Sequence, residues 1–323
     1  MDKYKDKMES SDDKVSLHSY KTYPDKVKIL KDYEVLVLSG GGTKGVITLG
    51  MLHRLSENNL SNIKFFVGTS IGSVICFLMI IGLTPVEILS YICTKNICMD
   101  TKLNILQLLS KGGMMSFDTF FDEIQRTTEE RLGFIPTMFE LYEQFNKEFV
   151  CVTHNLTTNK TVYIDHISHP NLSCIEALKM SCNIPLIFEK YMYDKCFYVD
   201  GAVSDNFAIE YTSKRYYDKK ILGLYIETHS SLRENNQDIM VYIKSLLTVS
   251  FRMNCSISKE FKSQNINTIM ATVSDNYPEW NFNLSDNSKR FDLFSIGYKL
   301  IDEIEGISSI EELNKIITKL KTD

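Results

Sequence analysis

The sequence lacks the excess of positive charge that is common among proteins that bind nucleic acids. Its 323 residues contain 36 Lys and Arg against 41 Asp and Glu, for a formal net charge of −5. No cluster of basic residues interleaved with aromatic residues interrupts this balance. Nucleic acid is therefore not an expected partner.

The sequence also lacks the apolar segments that direct a chain into or across a membrane. Residues 1–6 are polar and charged, without the apolar core of a signal peptide. The longest apolar run, residues 71–83, is shorter than the roughly 20 residues needed to span a bilayer. We therefore expect a soluble, cytoplasmic protein whose contact with membranes, if any, is peripheral.

Paired cysteines and metal-binding spacings are missing as well. The eight cysteines are scattered without a C-x-x-C pair, which favours reduced thiols in a core over a disulfide framework. The histidines and acidic residues show neither H-E-x-x-H nor EF-hand spacing, so no metal or other cofactor is expected. What the chain has instead is a hydrophobic content of 44%, enough at this length for a large core.

The composition divides the chain into an arm and a single domain. Residues 1–32 are dominated by Lys, Asp and Ser, which predicts a mobile polar arm. Residues 33–323 contain no internal repeat and no low-complexity tract, and we expect them to form one domain. Its C-terminal part, from about residue 236, is predicted to be mainly helical.

Strand and helix patterns alternate in the first part of this domain. Residues 34–39 form a short β-branched and apolar run that is typical of a buried strand, and residues 46–58 have helical spacing. A second strand is predicted at residues 63–67, with a helix from residue 71. Such alternation predicts an α/β three-layer sandwich, with a mostly parallel central sheet and helices on both faces.

A glycine-rich loop lies between the first predicted strand and helix. It comprises Gly40, Gly41, Gly42, Thr43, Lys44 and Gly45. Free N–H groups at a helix N-terminus point toward negative charge, and glycines let a ligand approach the backbone closely. The loop is therefore a candidate oxyanion hole, with Lys44 adding positive potential.

The same loop also fits G-x-G-x-x-G, the fingerprint of dinucleotide binding. That interpretation needs an acidic residue about 20 positions further on, at the end of the next strand. The next strand runs instead into Gly68 and Thr69, neither of which is acidic. A nucleotide-binding module therefore remains an alternative, and the less favoured one.

A second motif follows the second predicted strand. Gly68, Ser70 and Gly72 match G-x-S-x-G, the nucleophile elbow, in which a serine occupies a tight turn between a strand and a helix. Glycines on either side relieve crowding at such a turn. Ser70 is therefore the candidate nucleophile.

A serine nucleophile needs a base, and the sequence offers two. Asp200, followed by Gly201 and Ala202, lies at the exit of a short predicted strand, although Asp-Gly is also a common turn. His229 follows another predicted strand, and Ser70, Asp200 and His229 occur in the order of an α/β-hydrolase triad. The residues alone leave a Ser–Asp dyad and a Ser-His-Asp esterase open.

The ordered set of motifs resembles the patatin-like phospholipase family. That family combines a glycine-rich oxyanion loop ending in Lys/Arg-Gly, a G-x-S-x-G elbow and an Asp-Gly-Gly/Ala segment. Residues 40–45, 68–72 and 200–202 match these three motifs in order. The resemblance implies that Asp200 completes a dyad with Ser70, and that Gly68, Gly72, Gly201 and Ala202 support the motifs.

Weaker features extend the resemblance over residues 34–228. Residues 181–185, with Phe188 after them, resemble the Ser-x-x-x-Pro segment of the family, and Asn206 matches an Asn downstream of the dyad Asp. The chain also departs from the family at three positions, none of which removes a catalytic group. These are Ser39, where many members have Asp, Asn183, where the usual residue is small, and Ala208, where Pro is frequent.

The resemblance implies a serine hydrolase of lipid esters, of the phospholipase A or lysophospholipase type, acting through an acyl-enzyme. Its expected partners are a phospholipid or other lipid ester and, transiently, a membrane surface. Since a free carboxylate is a weak base for a hydroxyl, the dyad predicts a partly buried Asp200 with a raised pKa, within hydrogen-bond reach of Ser70. Residues 103–117 are a candidate docking or lid segment, or alternatively an ordinary packed helix and loop.

Overall fold

The computed structural model describes residues 32–56, 60–94, 108, 110–116, 118–229, 249, 265–274, 287–306 and 309–322. Ten strands lie within these ranges: β1 Val35–Leu38, β2 Phe65–Thr69, β3 Gly113–Met115, β4 Glu148–Asn155, β5 Lys160–Ile164, β6 Leu186–Phe188, β7 Tyr191–Tyr193, β8 Cys196–Asp200, β9 Ile221–His229 and β10 Ile266–Ser274. The helices that connect or follow them are α1 Gly45–Ser56, α2 Ile71–Ile80, α3 Pro85–Thr94, α4 Asp118–Leu132, α5 Met138–Phe145, α6 Cys174–Cys182, α7 Ile209–Arg215, α8 Asn287–Glu305 and α9 Ile310–Thr322.

One eight-stranded sheet organises the domain. Its order is β10-β9-β1-β2-β4-β8-β7, and β5 pairs with β4 off this path. The five strands from β10 to β4 are parallel, whereas β5 and β8 run antiparallel to β4. The predicted α/β class, with a mostly parallel central sheet, is confirmed.

Alternating side chains of β1 enter two separate cores. Leu36 and Leu38 belong to the larger apolar cluster, which includes side chains of α1, α2, α6 and α8. Val35 and Val37 belong to a second cluster on the other face, which includes Ile209 of α7. Because successive side chains of a strand point to opposite faces, this division places helices on both sides of the sheet.

Strands β2 and β8 meet end to end along one edge of β4. Strand β5 pairs with residues 151–155 of β4, so β2 and β8, which overlap that stretch, both lie on the opposite edge. The last residue of β2, Thr69, lies opposite Val152, and the last residue of β8, Asp200, lies opposite Thr153. The residues that follow β2 and end β8 are therefore brought together by the sheet itself.

The sequence analysis missed strand β10, which lies in the stretch predicted to be mainly helical. It pairs in parallel with β9 over nine residues and forms an edge of the sheet. Its buried side chains are Ile269, Ala271 and Val273, separated by polar or partly exposed residues. This alternation is typical of a strand with one covered face.

Two predicted segments fall wholly or partly outside the described residues. Except for Asp32, the arm at residues 1–32 lies outside them. Of the candidate docking segment at residues 103–117, the structure describes residues 108 and 110–116, where strand β3 pairs in parallel with β6. Across the described ranges, no single helix is long and apolar enough to cross a bilayer. Helices α2 and α3 reach that length only as a pair, bent by 118°.

Candidate active site

Ser70 occupies a strained turn between β2 and α2. Its backbone has φ of 53° and ψ of −128°, a conformation that residues with a side chain rarely adopt. The turn directs the chain from the sheet into the first residue of α2, Ile71. This is the geometry expected of a nucleophile elbow, in which the serine oxygen is presented at the N-terminus of a helix.

The two glycines of the motif allow α2 to approach the sheet closely. A Cβ atom on Gly72 would lie 2.6 Å from the carbonyl oxygens of Leu38 and Ser39, and one on Gly68 would lie 2.5 Å from the Cα atom of Ser73. No side chain fits at either position without moving the backbone. The glycines are therefore required by packing around the elbow.

The side chain of Ser70 donates a hydrogen bond to the carboxylate of Asp200. Its Oγ lies 2.6 Å from Asp200 Oδ2, and the backbone N–H of Ala202 donates to Asp200 Oδ1 at 2.8 Å. Asp200 is only 1% exposed. Burial raises the pKa of Asp200 to about 7, although the hydrogen bonds from Ser70 and Ala202 act in the opposite direction. Asp200 thus lies within hydrogen-bond reach of Ser70, as predicted, and its burial is complete rather than partial.

The C-terminal end of α6 and the residue that follows it hold both members of the pair. Ser181 Oγ accepts a hydrogen bond from the backbone N–H of Ser70 at 2.9 Å and donates one to the carbonyl of Val152 at 2.6 Å. Asn183 accepts a hydrogen bond from the backbone N–H of Asp200 at 2.8 Å. The departure at Asn183 therefore leaves the backbone contact to Asp200 in place.

The glycine loop approaches the site from the end of β1. A short 3-10 turn, Gly42–Lys44, leads directly into α1, and Gly42 has a positive φ of 55°. The backbone N–H of Gly40 donates to the carbonyl of Asn206 at 3.2 Å, which ties the loop to the segment following Asp200. The first N–H groups of such a turn have no acceptor within it, so they are available to an anionic oxygen.

A cleft of about 990 Å³, part of it open to solvent, adjoins Ser70. Its walls are mostly aliphatic and aromatic, with side chains that include Val74, Leu78, Ile88, Phe120 and Ile124. Gly42, Thr43 and Gly45 line the cleft together with Ser70, whereas Lys44 is fully buried and does not line it. The cleft has the apolar character of a site for an acyl chain.

Two of the six histidines bear on the choice of base. His229 is the last residue of β9, and its side chain lies outside the described part of the structure. His53 contacts the rings of Phe294 and Tyr298, on the side of α1 that packs against α8. Among the described residues, the acceptor for the Ser70 hydroxyl is the carboxylate of Asp200.

Several residues of the site carry no sequence motif and were missed. Tyr91 of α3 and Arg290 of α8 line the cleft, although they are distant in sequence from every motif. A period of apolar residues signals burial of a helix but not which cavity it faces. These positions become visible only when the helices are packed.

Comparison with known proteins places these features in a family. Residues 36–212 match the patatin-like phospholipase family. The chain is 32% identical over 275 residues to a probable lipid hydrolase, 463L, of Invertebrate iridescent virus 6, covering 83% of this chain and 87% of that protein. It is 25% identical over 279 residues to the uncharacterized protein R571 of Acanthamoeba polyphaga mimivirus, covering 83% and 92%.

Among solved structures, VipD from Legionella pneumophila is similar, with a TM-score of 0.48 and 16% sequence identity. The match covers 84% of this chain and 66% of the VipD chain, which is slightly less than two thirds of the latter.

Proposed function

The chain belongs to the patatin-like phospholipase family, and from this premise we propose that it hydrolyses acyl esters of lipids, with Ser70 as nucleophile and Asp200 as general base. The observation that carries the proposal is the 2.6 Å hydrogen bond from Ser70 Oγ to a buried carboxylate. A pKa of about 7 makes Asp200 a stronger base than an exposed aspartate.

The first half of the reaction forms an acyl-enzyme. Asp200 accepts the hydroxyl proton of Ser70 while Ser70 Oγ bonds to the ester carbonyl carbon. The C–O bond to the alcohol then breaks, and Asp200 returns the proton to the departing alcohol oxygen. In the second half, a water molecule gives a proton to Asp200, attacks the acyl carbon and releases the fatty acid, and Ser70 recovers its proton.

The proposed oxyanion hole is the glycine loop at residues 40–45. The negative oxygen of the tetrahedral intermediate would accept hydrogen bonds from backbone N–H groups around Gly41 and Gly42, at the start of the 3-10 turn. One such donor typically contributes about 10²–10³ in rate. Lys44 is fully buried, so its effect on this oxygen is electrostatic rather than by contact across the cleft.

The apolar cleft supports a lipid ester as the substrate. Its apolar walls suit the acyl chain of a phospholipid, a lysophospholipid or another lipid ester, with the ester carbonyl at Ser70. This composition also disfavours the nucleotide-binding alternative, because a nucleotide would bring its phosphates and ribose into largely apolar surroundings. We further propose that residues 33–323 act as one domain, since β10 joins the sheet that β1 begins.

The lipid would be reached at a membrane surface. The hairpin of β7 and β8 exposes Met192 and Phe197, which are 61% and 42% exposed and lie directly opposite each other. The backbone N–H of Leu156, another exposed apolar residue, donates to the carbonyl of Phe197. Because β8 ends at Asp200, insertion of these side chains into a lipid surface would bring that surface close to the site.

A fluorophosphonate probe tests the nucleophile. The wild-type protein should be labelled and Ser70→Ala should not. Ser73→Ala should remain labelled, because the Ser73 hydroxyl is fully buried and donates to the carbonyl of Ser70. Label retained in Ser70→Ala would refute the assignment. A panel of phospholipids, lysophospholipids and triacylglycerols, assayed with EDTA, would then identify the substrate and show whether turnover needs a divalent metal.

A further inference from the structure

Arg290 introduces a positive charge into an otherwise apolar cleft. It is the fourth residue of α8, only 1% exposed, and lines the same cleft as Ser70. It lies outside the segment that matches the family, residues 36–212. Its presence there is therefore not explained by the three sequence motifs.

The helix that carries Arg290 is held tightly against the helix that follows the glycine loop. A Cβ on Gly50 of α1 would lie 2.0 Å from the carbonyl oxygen of Phe294, and one on Gly297 of α8 would lie 2.0 Å from that of Ile47. The two backbones are thus in direct contact at both glycines. This contact fixes the position of Arg290 relative to the loop and to Ser70.

Three hydrogen bonds of Arg290 come from one nitrogen of its guanidinium, Nη1. Nη1 donates to the carbonyl of Ile92 at 2.8 Å, to that of Cys93 at 3.5 Å and to Asn287 Oδ1 at 2.8 Å. Nε is buried and has no hydrogen-bond partner. Through the described ranges, no carboxylate lies within ion-pair distance of Arg290. The described residues give Nε no acceptor, and beyond the three bonds of Nη1 the guanidinium contacts the thiol of Cys93, which is only a weak acceptor.

The other buried arginine of the described residues, Arg54, is paired with two carboxylates. Arg54 Nε lies 2.6 Å from Asp302 Oδ1, and its Nη2 lies 2.9 Å from Glu305 Oε2. A buried cation without a counter-charge is costly, and carbonyl groups offset only part of that cost. The Nε–Nη2 edge has the spacing that binds carboxylate or phosphate through two parallel hydrogen bonds.

We propose that Arg290 binds the anionic oxygens of the lipid in the cleft, through the Nε–Nη2 edge of its guanidinium. The shared chemistry is a pair of anionic oxygens, which a lipid supplies either as the phosphate of its head group or as the carboxylate of the released fatty acid. The proposal rests on the proposed function, because it takes the occupant of the cleft to be a lipid. Under this proposal, Arg290 is an anion-binding group in a cleft whose other walls favour apolar chains.

Binding to catalytically inactive protein tests the proposal independently of Ser70. Ser70→Ala is titrated calorimetrically with decyl phosphate, decanoate and decanol, which share one apolar chain. At least one of the two anions should bind about 10- to 100-fold more tightly than decanol, as expected for two charge-assisted hydrogen bonds. Equal binding of all three ligands would overturn the proposal, whatever becomes of Ser70 as nucleophile.

Substitutions of Arg290 in the same background locate the effect. Arg290→Met should reduce anion binding to the level of decanol, and Arg290→Lys, which keeps a charge and donors for the carbonyls of α3, should bind anions with intermediate affinity. Anion binding unchanged in both variants would overturn the assignment to Arg290. If Arg290→Met does not fold, Arg290→Lys alone decides, since it lacks the Nε–Nη2 edge.

Kinetics in the active protein separates the two sources of the anion. If the phosphate is bound, Arg290→Met should raise KM for a phospholipid about 10- to 100-fold and leave KM for the diacylglycerol with the same acyl chains within about 2-fold. If the carboxylate is bound, decanoate should inhibit the wild type and not Arg290→Met, with equal KM effects on both substrates. A uniform fall in kcat with neither signature would show that Arg290 only supports α3.

Discussion

Two buried aspartates lie on opposite edges of β4, and the protein treats them in opposite ways. Asp165 follows β5 and is 3% exposed, and Asp200 ends β8 and is 1% exposed. Asp165 accepts from Arg215 Nη1 at 2.6 Å and from the backbone of Ser168 at 2.6 Å. Asp200 accepts from one hydroxyl and one backbone N–H, and no cation contacts it anywhere in the described ranges.

The difference appears in the two pKa values. Burial alone would raise the pKa of Asp165, but the hydrogen bonds from Ser168 and the charge of Arg215 hold it below its ordinary value. Burial raises the pKa of Asp200 to about 7, since no cation compensates for it. The fold can therefore neutralise a buried aspartate with an arginine, and at Asp200 it does not. A carboxylate that must accept a proton is a better base without such a cation, as at Asp200.

The largest expected effect is a difference in kcat between substitutions of the two aspartates. Asp200→Asn keeps the shape of the side chain but removes the base, so kcat on a lipid ester should fall about 10²–10⁴-fold. Asp165→Asn should leave kcat within a few-fold and lower the free energy of unfolding by about 1–3 kcal/mol, because the contact to Arg215 loses its charge. Steady-state kinetics and thermal melts of both variants check this, and equal losses of kcat would remove the distinction.

A second prediction concerns the pH dependence of stability. The raised pKa of Asp200 means that the folded state holds a proton more tightly than the unfolded state, so its contribution to stability falls as pH rises from about 4 to about 7. Asp165 has a lowered pKa, and its contribution is present at neutral pH and lost on acidification. Asp200→Asn should therefore melt at a higher temperature than the wild type at pH 8, with a smaller difference at pH 5. Asp165→Asn should melt at a lower temperature than the wild type at pH 8. If both variants melted above the wild type at pH 8, or both below it, the comparison would be contradicted.

Two serines, one that contacts Ser70 and one that contacts Asp165, give a smaller, matched test. Ser181→Ala removes the acceptor for the backbone N–H of Ser70, and we expect a loss of about 1–2 kcal/mol in stability with a fall in kcat of about 10-fold. Ser168→Ala leaves the backbone N–H that binds Asp165 in place, so its effect on kcat should be negligible. Melts and kcat values measured side by side decide, and a loss of activity in Ser168→Ala would argue against a purely structural role for that edge.

The smallest expected effect comes from substitutions on the β7–β8 hairpin, away from both aspartates. The double variant Met192→Ser and Phe197→Ser should reduce turnover of lipid vesicles several-fold and leave turnover of a soluble ester unchanged, because only docking is altered. Vesicle sedimentation should show the same loss. If soluble and vesicle substrates lose activity together, the hairpin supports Asp200 rather than a membrane contact.

The sequence predicted well those features of the site that depend on a few neighbouring residues. Strands β1, β2 and β8, the elbow at Ser70 and the turn after Asp200 are each encoded within a few consecutive residues. The meeting of β2 and β8 on one edge of β4 could not be derived, because it depends on pairing between residues more than 40 positions apart. The family resemblance supplied that contact in advance.

Other features were hidden for different reasons. Polar residues on one face of β10 obscured its apolar alternation, so the strand was missed. Neither the paired state of Asp165 nor the cleft position of Arg290 has a sequence signal, because both depend on side chains from distant elements. The order Ser70, Asp200, His229 was compatible with two catalytic arrangements, and only a structure could place an acceptor beside Ser70.

The most direct test of the dyad is the rate of fluorophosphonate labelling as a function of pH, in His229→Ala and Asp200→Asn. A base with a pKa near 7 predicts that labelling of the wild type rises with pH, with a midpoint near 7. A histidine acting as the base would give a similar midpoint, so the two variants are needed to tell Asp200 from His229. Our account predicts that His229→Ala keeps the rate and the midpoint and that Asp200→Asn loses labelling at every pH. Loss in His229→Ala with labelling retained in Asp200→Asn would contradict it.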